Sequence, residues 1–189
     1  MLSKYLGVLE NLNIIGREIP ITESSKSKLK SKNSLYVIKD NFYDFWFKFV
    51  YLNKQEIEKG VGNVLDKIKR DFEQYVSFKF ENYCKEFLEN QFYEKYTSFG
   101  KWWHKDIEID ILALNEEKKS ILFGECKWQD DVDVLSVFSE LKEKAKFVDW
   151  NFGKRKESFV LLAKSFKSKP KIDGLLLYEL KDIEKAMLE

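Results

Sequence analysis

Two apolar runs, IEIDILAL (107–114) and ILFGECKW (121–128), are separated only by NEEKKS. Runs of that length, rich in isoleucine and flanking a short polar turn, pair as the two strands of an antiparallel hairpin. Strand side chains alternate with period two, so Ile107, Ile109, Ile111 and Ala113 are expected on one face, with Glu108 and Asp110 on the other. On the return, Ile121, Phe123, Glu125 and Lys127 share a face, and Leu122, Gly124, Cys126 and Trp128 the opposite one. With the turn centred on EEKK, Asp110 falls close to opposite Glu125. Two carboxylates and an ammonium then converge at one end of the hairpin.

Like charges at that range repel, and each carboxylate raises the other's pKa unless a cation lies between them. A hard divalent ion, Mg²⁺ or Mn²⁺, resolves the conflict, since it takes carboxylate oxygens and keeps positions for water and phosphate. Lys127, one pleat from Glu125, is placed to orient a water or balance charge on a phosphorane. The chemistry this describes is phosphodiester hydrolysis. The same letters also describe a surface hairpin with a cross-strand ion pair, worth at most ~1 kcal/mol. Glu108 shares a face with Asp110 and is the alternative ligand.

Before the hairpin, Leu2, Leu6, Leu9 and Leu12 fall at helical spacing, and a short strand is expected around Ile19 to Ile21. The lysine-rich TESSKSKLKSKNS follows, then the strand LYVIKD. A helix, a strand, a basic loop and a strand resemble the last helix and wing of a winged helix, with Lys26, Lys28, Lys30 and Lys32 as phosphate contacts or as a solvated loop. DNFYDFWFKFVYL (40–52), with Asp40 as N-cap, is apolar almost all round and is expected as a buried connecting helix. If Leu2, Leu6, Phe42 and Phe45 stay uncovered instead, they form a patch for dimerisation or partner binding. The polar, glycine-containing stretch 55–62 marks a boundary, so the expected parts are 1–39, 40–62 and 63–189. From Val64, Leu65, Ile68, Phe72, Tyr75, Val76, Phe80, Tyr83, Phe87 and Leu88 keep a helical period, as one bent helix or two. After the hairpin come a helix from Asp133 to Trp150, strands at Phe159 to Ala163 and Gly174 to Tyr178, and a terminal helix. Lys142 and Lys146, one turn apart on the first of these helices, either face the site or form a charged outer face.

Composition excludes several classes. Thirty-three basic and 32 acidic residues nearly cancel, so any nucleic-acid surface must be local. Two cysteines, Cys84 and Cys126, and one histidine, His104, leave no disulfide framework and no zinc cluster. No run approaches the ~20 apolar residues of a membrane span, and the start lacks a signal-peptide order, so a cytoplasmic globular protein is expected. His104, beside Trp102 and Trp103, is either a general base or a structural group, and Trp102, Trp103 and Trp128 either stack on bases or pack the hairpin.

An acidic residue on one strand followed by Glu-x-Lys on the next resembles the PD-(D/E)XK nuclease superfamily, here Asp110 and ECK at 125–127. The proline of that name is replaced by Ile109. The resemblance implies an α/β restriction-endonuclease-like core, a mixed central sheet flanked by helices. It also implies an acidic metal ligand on the preceding helix, where Glu81 in SFKFENY occupies the matching place, with Glu73, Glu86 and Glu89 as competitors. LYVIKDNFYDFWFKFVY, GKWWHKDIEIDILALN, LFGECKW and FVLLAKSF together resemble the C-terminal region of archaeal ATPases of the AAA superfamily. That region is the DEXX-box ATPase C-terminal domain, or domain of unknown function 234 (DUF234). The family places an ATPase and a winged helix ahead of this region, yet no G-x-x-x-x-G-K-[ST] occurs among the eight glycines here. The combined expectation is a Mg²⁺- or Mn²⁺-dependent DNA hydrolase with Glu81, Asp110 and Glu125 on the metal and Lys127 in catalysis. The resemblance then implies either a fragment or split product of the family or a chain that works beside a separately encoded ATPase. The rival expectation is an inactive module of the same fold that binds DNA or regulates the ATPase.

Overall fold

A computed structural model describes residues 2–23, 31, 33–60 and 62–188. The chain divides into two compact units, Met1–Ile19 with Ser24–Gln74, and Pro20–Glu23 with Tyr75–Glu189. Lys26, Lys28, Lys30 and Lys32 lie outside the described residues.

In the first unit α1 (Leu2–Asn11) leads into β1 (Ile15–Glu18), which pairs antiparallel with β2 (Leu35–Ile38) from Ile15↔Ile38 to Glu18↔Leu35. The first strand thus precedes the expected Ile19 to Ile21. Asp40 caps α2 (Asn41–Phe45), its Oδ1 accepting the Tyr43 N–H at 2.9 Å. The helix continues through a wide π turn at Trp46–Val50 and a tight 3₁₀ turn at Tyr51–Asn53 into α3 (Lys54–Glu58). The expectation that this segment is buried is corrected: between Asn41 and Leu52 only Phe49 is buried, while Phe42 is 68% and Leu52 76% exposed. The physical reason is a shortage of covering surface. A two-stranded ribbon shields one stripe of a helix, and α1, which buries none of its own residues, adds little. The exposed rings meet one another instead, Phe42 stacking on Trp46 at 6.1 Å and Tyr43 on Phe47 at 6.4 Å. Of the expected apolar patch, Leu2 and Phe42 are exposed, and Leu6 and Phe45 are half-buried.

α4 (Val64–Phe92) is one helix of 29 residues, free of glycine and proline, and it contributes to both units. The second unit is built on a five-stranded sheet in the order β3 (Ser98–His104), β4 (Ile107–Asn115), β5 (Ser120–Lys127), β6 (Lys156–Ala163), β7 (Leu175–Glu179). β3, β4 and β5 run antiparallel, whereas β5, β6 and β7 run parallel. A parallel neighbour requires a crossover, and α5 (Val134–Ala145) supplies it between β5 and β6. α6 (Leu180–Leu188) closes the described chain. The result is a mixed α/β unit with helices on both faces of a mixed sheet.

Two cores sandwich that sheet. Phe80, Cys84, Phe87 and Leu88 of α4, at one-face helical spacing, and Ile183 of α6 pack on Ile111, Ala113, Leu122, Val160 and Leu162. On the other face Val134, Phe138, Leu141 and Ala145 of α5 cover Ile109, Leu112, Leu114, Phe123 and Leu161. α5 starts where Asp133 accepts the Ser136 N–H at 3.0 Å, and it ends five residues before the expected Trp150. Its end is held by Arg155, which donates to the carbonyls of Ala145 at 2.9 Å, Trp150 at 3.1 Å and Val148. The bond to Ala145 satisfies a carbonyl that the helix terminus leaves open, next to Lys144, and the other two hold the turn that follows. β3 is an addition to the expected strands, and its Trp102 packs in the α5-side core.

Candidate functional site

The alternation expected for the first hairpin strand breaks at one place, and the break makes the site. From Gly100↔Leu112 to Trp102↔Ile109, β3 advances two residues while β4 advances three, so Lys101 faces both Asp110 and Ile111. This β-bulge inverts the faces across it. Ile107 and Ile109 join Leu112 and Leu114 on the α5 side, whereas Ile111 and Ala113 lie on the α4 side, correcting the expected single row of four. The β4–β5 ladder also stops there, its last pair being Ile111↔Gly124, so Asp110 lies just past the ladder instead of paired within it. The Asp110 side chain takes over the ladder's role, its Oδ2 accepting the Cys126 N–H at 2.8 Å. Glycine fits closely at that last pair, since a Cβ would come within 3.1 Å of Ile111 Cβ and 3.2 Å of Val160 Cγ1 and would press on both.

Glu125, one residue on, is buried, and its side chain is only 5% exposed. It receives two ammonium groups: Lys127 Nζ donates to Oε1 at 3.0 Å, and Lys144 Nζ donates to Oε1 at 2.8 Å and Oε2 at 2.9 Å. On the α4 side, Lys101 Nζ donates to Glu81 Oε2 at 2.5 Å and lies 4.0 Å from Glu108 Oε1. Four acids and three lysines are thus gathered where β3, β4 and β5 part, between α4 and α5.

The electrostatics single out Asp110. Burial, then the neighbouring charges of Glu125 and Glu81, push its carboxyl from 3.8 up to about 7. Burial raises Glu81 as well, against the opposing pull of Lys101. Burial works against the Lys127 ammonium, but the charge and hydrogen bond of Glu125 outweigh it and leave that pKa raised. Asp110 is therefore the acid whose proton uptake relieves crowding among the carboxylates. Burial also holds the Cys126 thiol well above its ordinary value, with Cys84 beside it, which disqualifies it as a thiolate nucleophile.

Glu179 shows the contrasting solution. It is buried at the end of β7, yet Lys169 and Lys181 each donate to Oε2 at 2.8 Å and the Phe166 N–H to Oε1 at 3.1 Å. The Lys169 bond foremost, then Lys181, pulls its carboxyl down to about 2. A depressed carboxyl stabilises the fold above its unfolded pKa and loses that contribution as pH falls through the folded one. Glu179→Gln should therefore melt below wild type at pH 6 and converge with it toward pH 2, as followed by circular dichroism. A constant gap over that range would exclude the role.

The expected site residues are distributed unevenly. Asp110, Glu125 and Lys127 come together, and Glu81 is the α4 acid whose charge reaches both Asp110 and Glu125. Glu73 and Glu86 are exposed, and Glu89 lies 3.9 Å from Lys85. Lys142 sits 4.5 Å from the Phe138 ring centre, and Lys146 pairs with Glu143 at 2.6 Å, so neither joins the cluster. His104 is exposed, with its ring stacked on Trp102 at 6.4 Å. Trp128 is packed between Phe80 and the Lys164 ammonium. Two residues were missed, Lys101 and Lys144. Lys144 follows Leu141 by three on the apolar stripe of α5, a spacing that could have placed it beside the core; Lys101 could be found only by reading β3 as a strand.

Carboxylates such as Asp110, Glu125 and Glu81 are the hard oxygen donors that Mg²⁺ or Mn²⁺ prefers, and the Asp110 carboxyl is raised first by burial and then by the charges of Glu125 and Glu81. Among the described residues, however, no three histidine, cysteine or acidic side chains are drawn together as a ready-made metal site, and Glu81 and Glu125 are paired with lysines instead. No described helix is long and apolar enough to cross a membrane.

A family model for archaeal and bacterial proteins of unknown function matches residues 46–148, a span that includes every member of this cluster. An uncharacterized protein of Methanocaldococcus jannaschii is 38% identical over 188 residues, covering 96% of this chain and 41% of that protein. The chain thus spans about two fifths of the length of this relative. No solved structure matches the chain.

Proposed function

The chain belongs to this family, DUF234, and on that footing we propose that its second unit is a PD-(D/E)XK-type domain that hydrolyses DNA phosphodiesters with Mg²⁺ or Mn²⁺. Residues 1–39 would be the remnant of a winged helix, 40–62 the connection and 63–189 the nuclease-like part. The whole would act as the C-terminal portion of an AAA ATPase or beside one, with Lys26, Lys28, Lys30, Lys32, Lys142 and Lys146 as backbone contacts to DNA. Pairing of two chains through the N-terminal apolar segment, with Leu2, Leu6, Phe42 and Phe45, belongs to the same proposal, as does a cytoplasmic location.

The observation that carries the reading is the convergence of Asp110, Glu125 and Lys127 where the ladder ends, with Glu81 reaching in electrostatically from α4. Asp110 and Glu125 would hold the ion, with Glu81 completing the set. When bound, the ion supplies Lewis acidity and a water that ionises near neutral pH. The chain's own residues do the rest. Lys127, anchored to Glu125 Oε1, presents its remaining N–H donors to a phosphoryl oxygen and stabilises charge that grows there. Asp110 would serve that ion as a carboxylate ligand, and its bond from the Cys126 N–H keeps the group oriented. The Gly124 to Cys126 backbone pairs with β6 throughout and with β4 as far as Gly124, which fixes Glu125 and presents the Cys126 N–H to Asp110.

The test is calorimetric titration of the full chain with Mn²⁺, followed by nicking of supercoiled DNA by the same samples. Lys127→Met should keep metal binding and lose about 10²- to 10³-fold in nicking rate. Neither binding nor nicking in wild type would sink the hydrolase. The second reading, an inactive DNA-binding or ATPase-regulating module, is favoured by the lysines that neutralise Glu81 and Glu125. It predicts DNA affinity without divalent metal and a steep salt dependence.

A further inference from the structure

Lys144 occupies the position with the most consequence for how the cluster fills. Its ammonium spans both oxygens of Glu125, at 2.8 and 2.9 Å, which are the atoms any cation bound to Glu125 must take. Lys127 engages Oε1 alone. The two partners differ in freedom: Glu125 is enclosed, whereas the Lys144 side chain is 29% exposed on a four-carbon stem at the last turn of α5. When a second cation comes, it is the lysine head that can move.

We infer that Lys144 is an exchangeable counterion: it holds Glu125 in the metal-free chain and passes to a phosphodiester oxygen when a divalent cation takes the carboxylate. This rests on the metal reading proposed above. A divalent ion at Glu125 with Lys144 still in place would meet an ammonium at contact range, and a displaced ammonium without an anion would be left facing that ion. A phosphodiester removes the second difficulty by accepting the released N–H donors. Cation and diester therefore bind with positive cooperativity, and linkage makes the effect reciprocal. Lys101, paired with Glu81 and near Glu108, offers a parallel exchange on the α4 side.

The experiment measures Mn²⁺ affinity of the full chain from the electron paramagnetic resonance signal of the free ion, with and without dimethyl phosphate. It compares wild type, Lys144→Met and Lys144→Arg, each first checked by thermal melting. Wild type should bind Mn²⁺ on the order of tenfold more tightly when the diester is present. Lys144→Met should reach about that affinity without diester and gain nothing further from it, while Lys144→Arg keeps the gain. Equal Mn²⁺ affinity of wild type and Lys144→Met, with the diester changing neither, would overturn the exchange and leave the metal site standing. Mn²⁺ bound by none of the three folded proteins would instead overturn the metal reading and the exchange together. Should Lys144→Met fail to fold, the diester effect on wild type and Lys144→Arg still decides, since its absence from both overturns the exchange.

Discussion

Asp110→Asn should be inactive and yet more stable than wild type in metal-free buffer at pH 8. The amide has the shape of the carboxyl and still accepts the Cys126 N–H through its oxygen, but it carries no charge to set against Glu125 and Glu81. In wild type the Asp110 carboxyl titrates near 7 in the fold, against 3.8 as its ordinary value. A raised carboxyl favours the fold fully below the unfolded pKa, and that advantage is lost as pH rises through the folded one. Wild type should therefore lose stability between about pH 4 and 7 from this source, with Glu81 adding in the same direction. The loss is on the order of 2–4 kcal/mol, reduced by solvent at a group that is only partly covered. Asp110→Asn should show little of that slope, so the two proteins should melt together near pH 4 and separate by ~5–10 °C at pH 8. Cleavage dependent on Mg²⁺ or Mn²⁺ should fall below detection in the variant. A variant that cuts as wild type does would remove Asp110 from the chemistry, and a variant that melts lower at pH 8 would show that Asp110 supports the fold as an anion.

Glu125→Ala should be the most damaging change in the cluster. It leaves Lys127 and Lys144 converging on a buried space without their shared acceptor, and breaking a buried ion pair from one side costs about 3–5 kcal/mol. Both lysine heads can turn toward solvent, their side chains being 32% and 29% exposed, which lowers the expectation to about 2–3 kcal/mol. Lys144→Ala should cost less than the acid change, because Glu125 keeps Lys127. Urea unfolding of the two variants and their double mutant measures the coupling directly. A Glu125→Ala protein as stable as wild type would mean that the pair is held together without contributing to the fold. That outcome would also weaken the view of Lys144 as a counterion with a preferred place.

Much of the second unit was legible because its signals are local. The hairpin stands where the two apolar runs put it, with the turn at 116–119. The period through Phe80, Phe87 and Leu88 became the buried stripe of α4, and Asp40 and Asp133 begin the helices they precede. The meeting of Asp110 with Glu125 and Lys127 also follows from strand period and turn length. Lys142 and Lys146 were the natural lysines to notice because they lie one turn apart, but Lys144, between them, follows the apolar stripe to the site.

What the sequence determined by itself, then, was most of the strands and helices of the second unit, β3 excepted, and the arrival of Asp110, Glu125 and Lys127 at the hairpin's end. Periodicity and capping act within a few residues and need no partner to be read. Tertiary structure alone decided how those groups are arranged. The bulge at Asp110 depends on β3 pairing with β4 out of step, and it inverts the face of every β4 residue beyond it. The matching of Lys101 to Glu81 and of Lys144 to Glu125 joins residues 20 and 19 positions apart across separate elements. Exposure of the Phe42 to Leu52 aromatics was likewise undecidable locally, because an all-round apolar helix is buried only if enough surface exists elsewhere to cover it. Register between strands, long-range ion pairing and the supply of covering surface are properties of the assembled chain, and no window of sequence contains them.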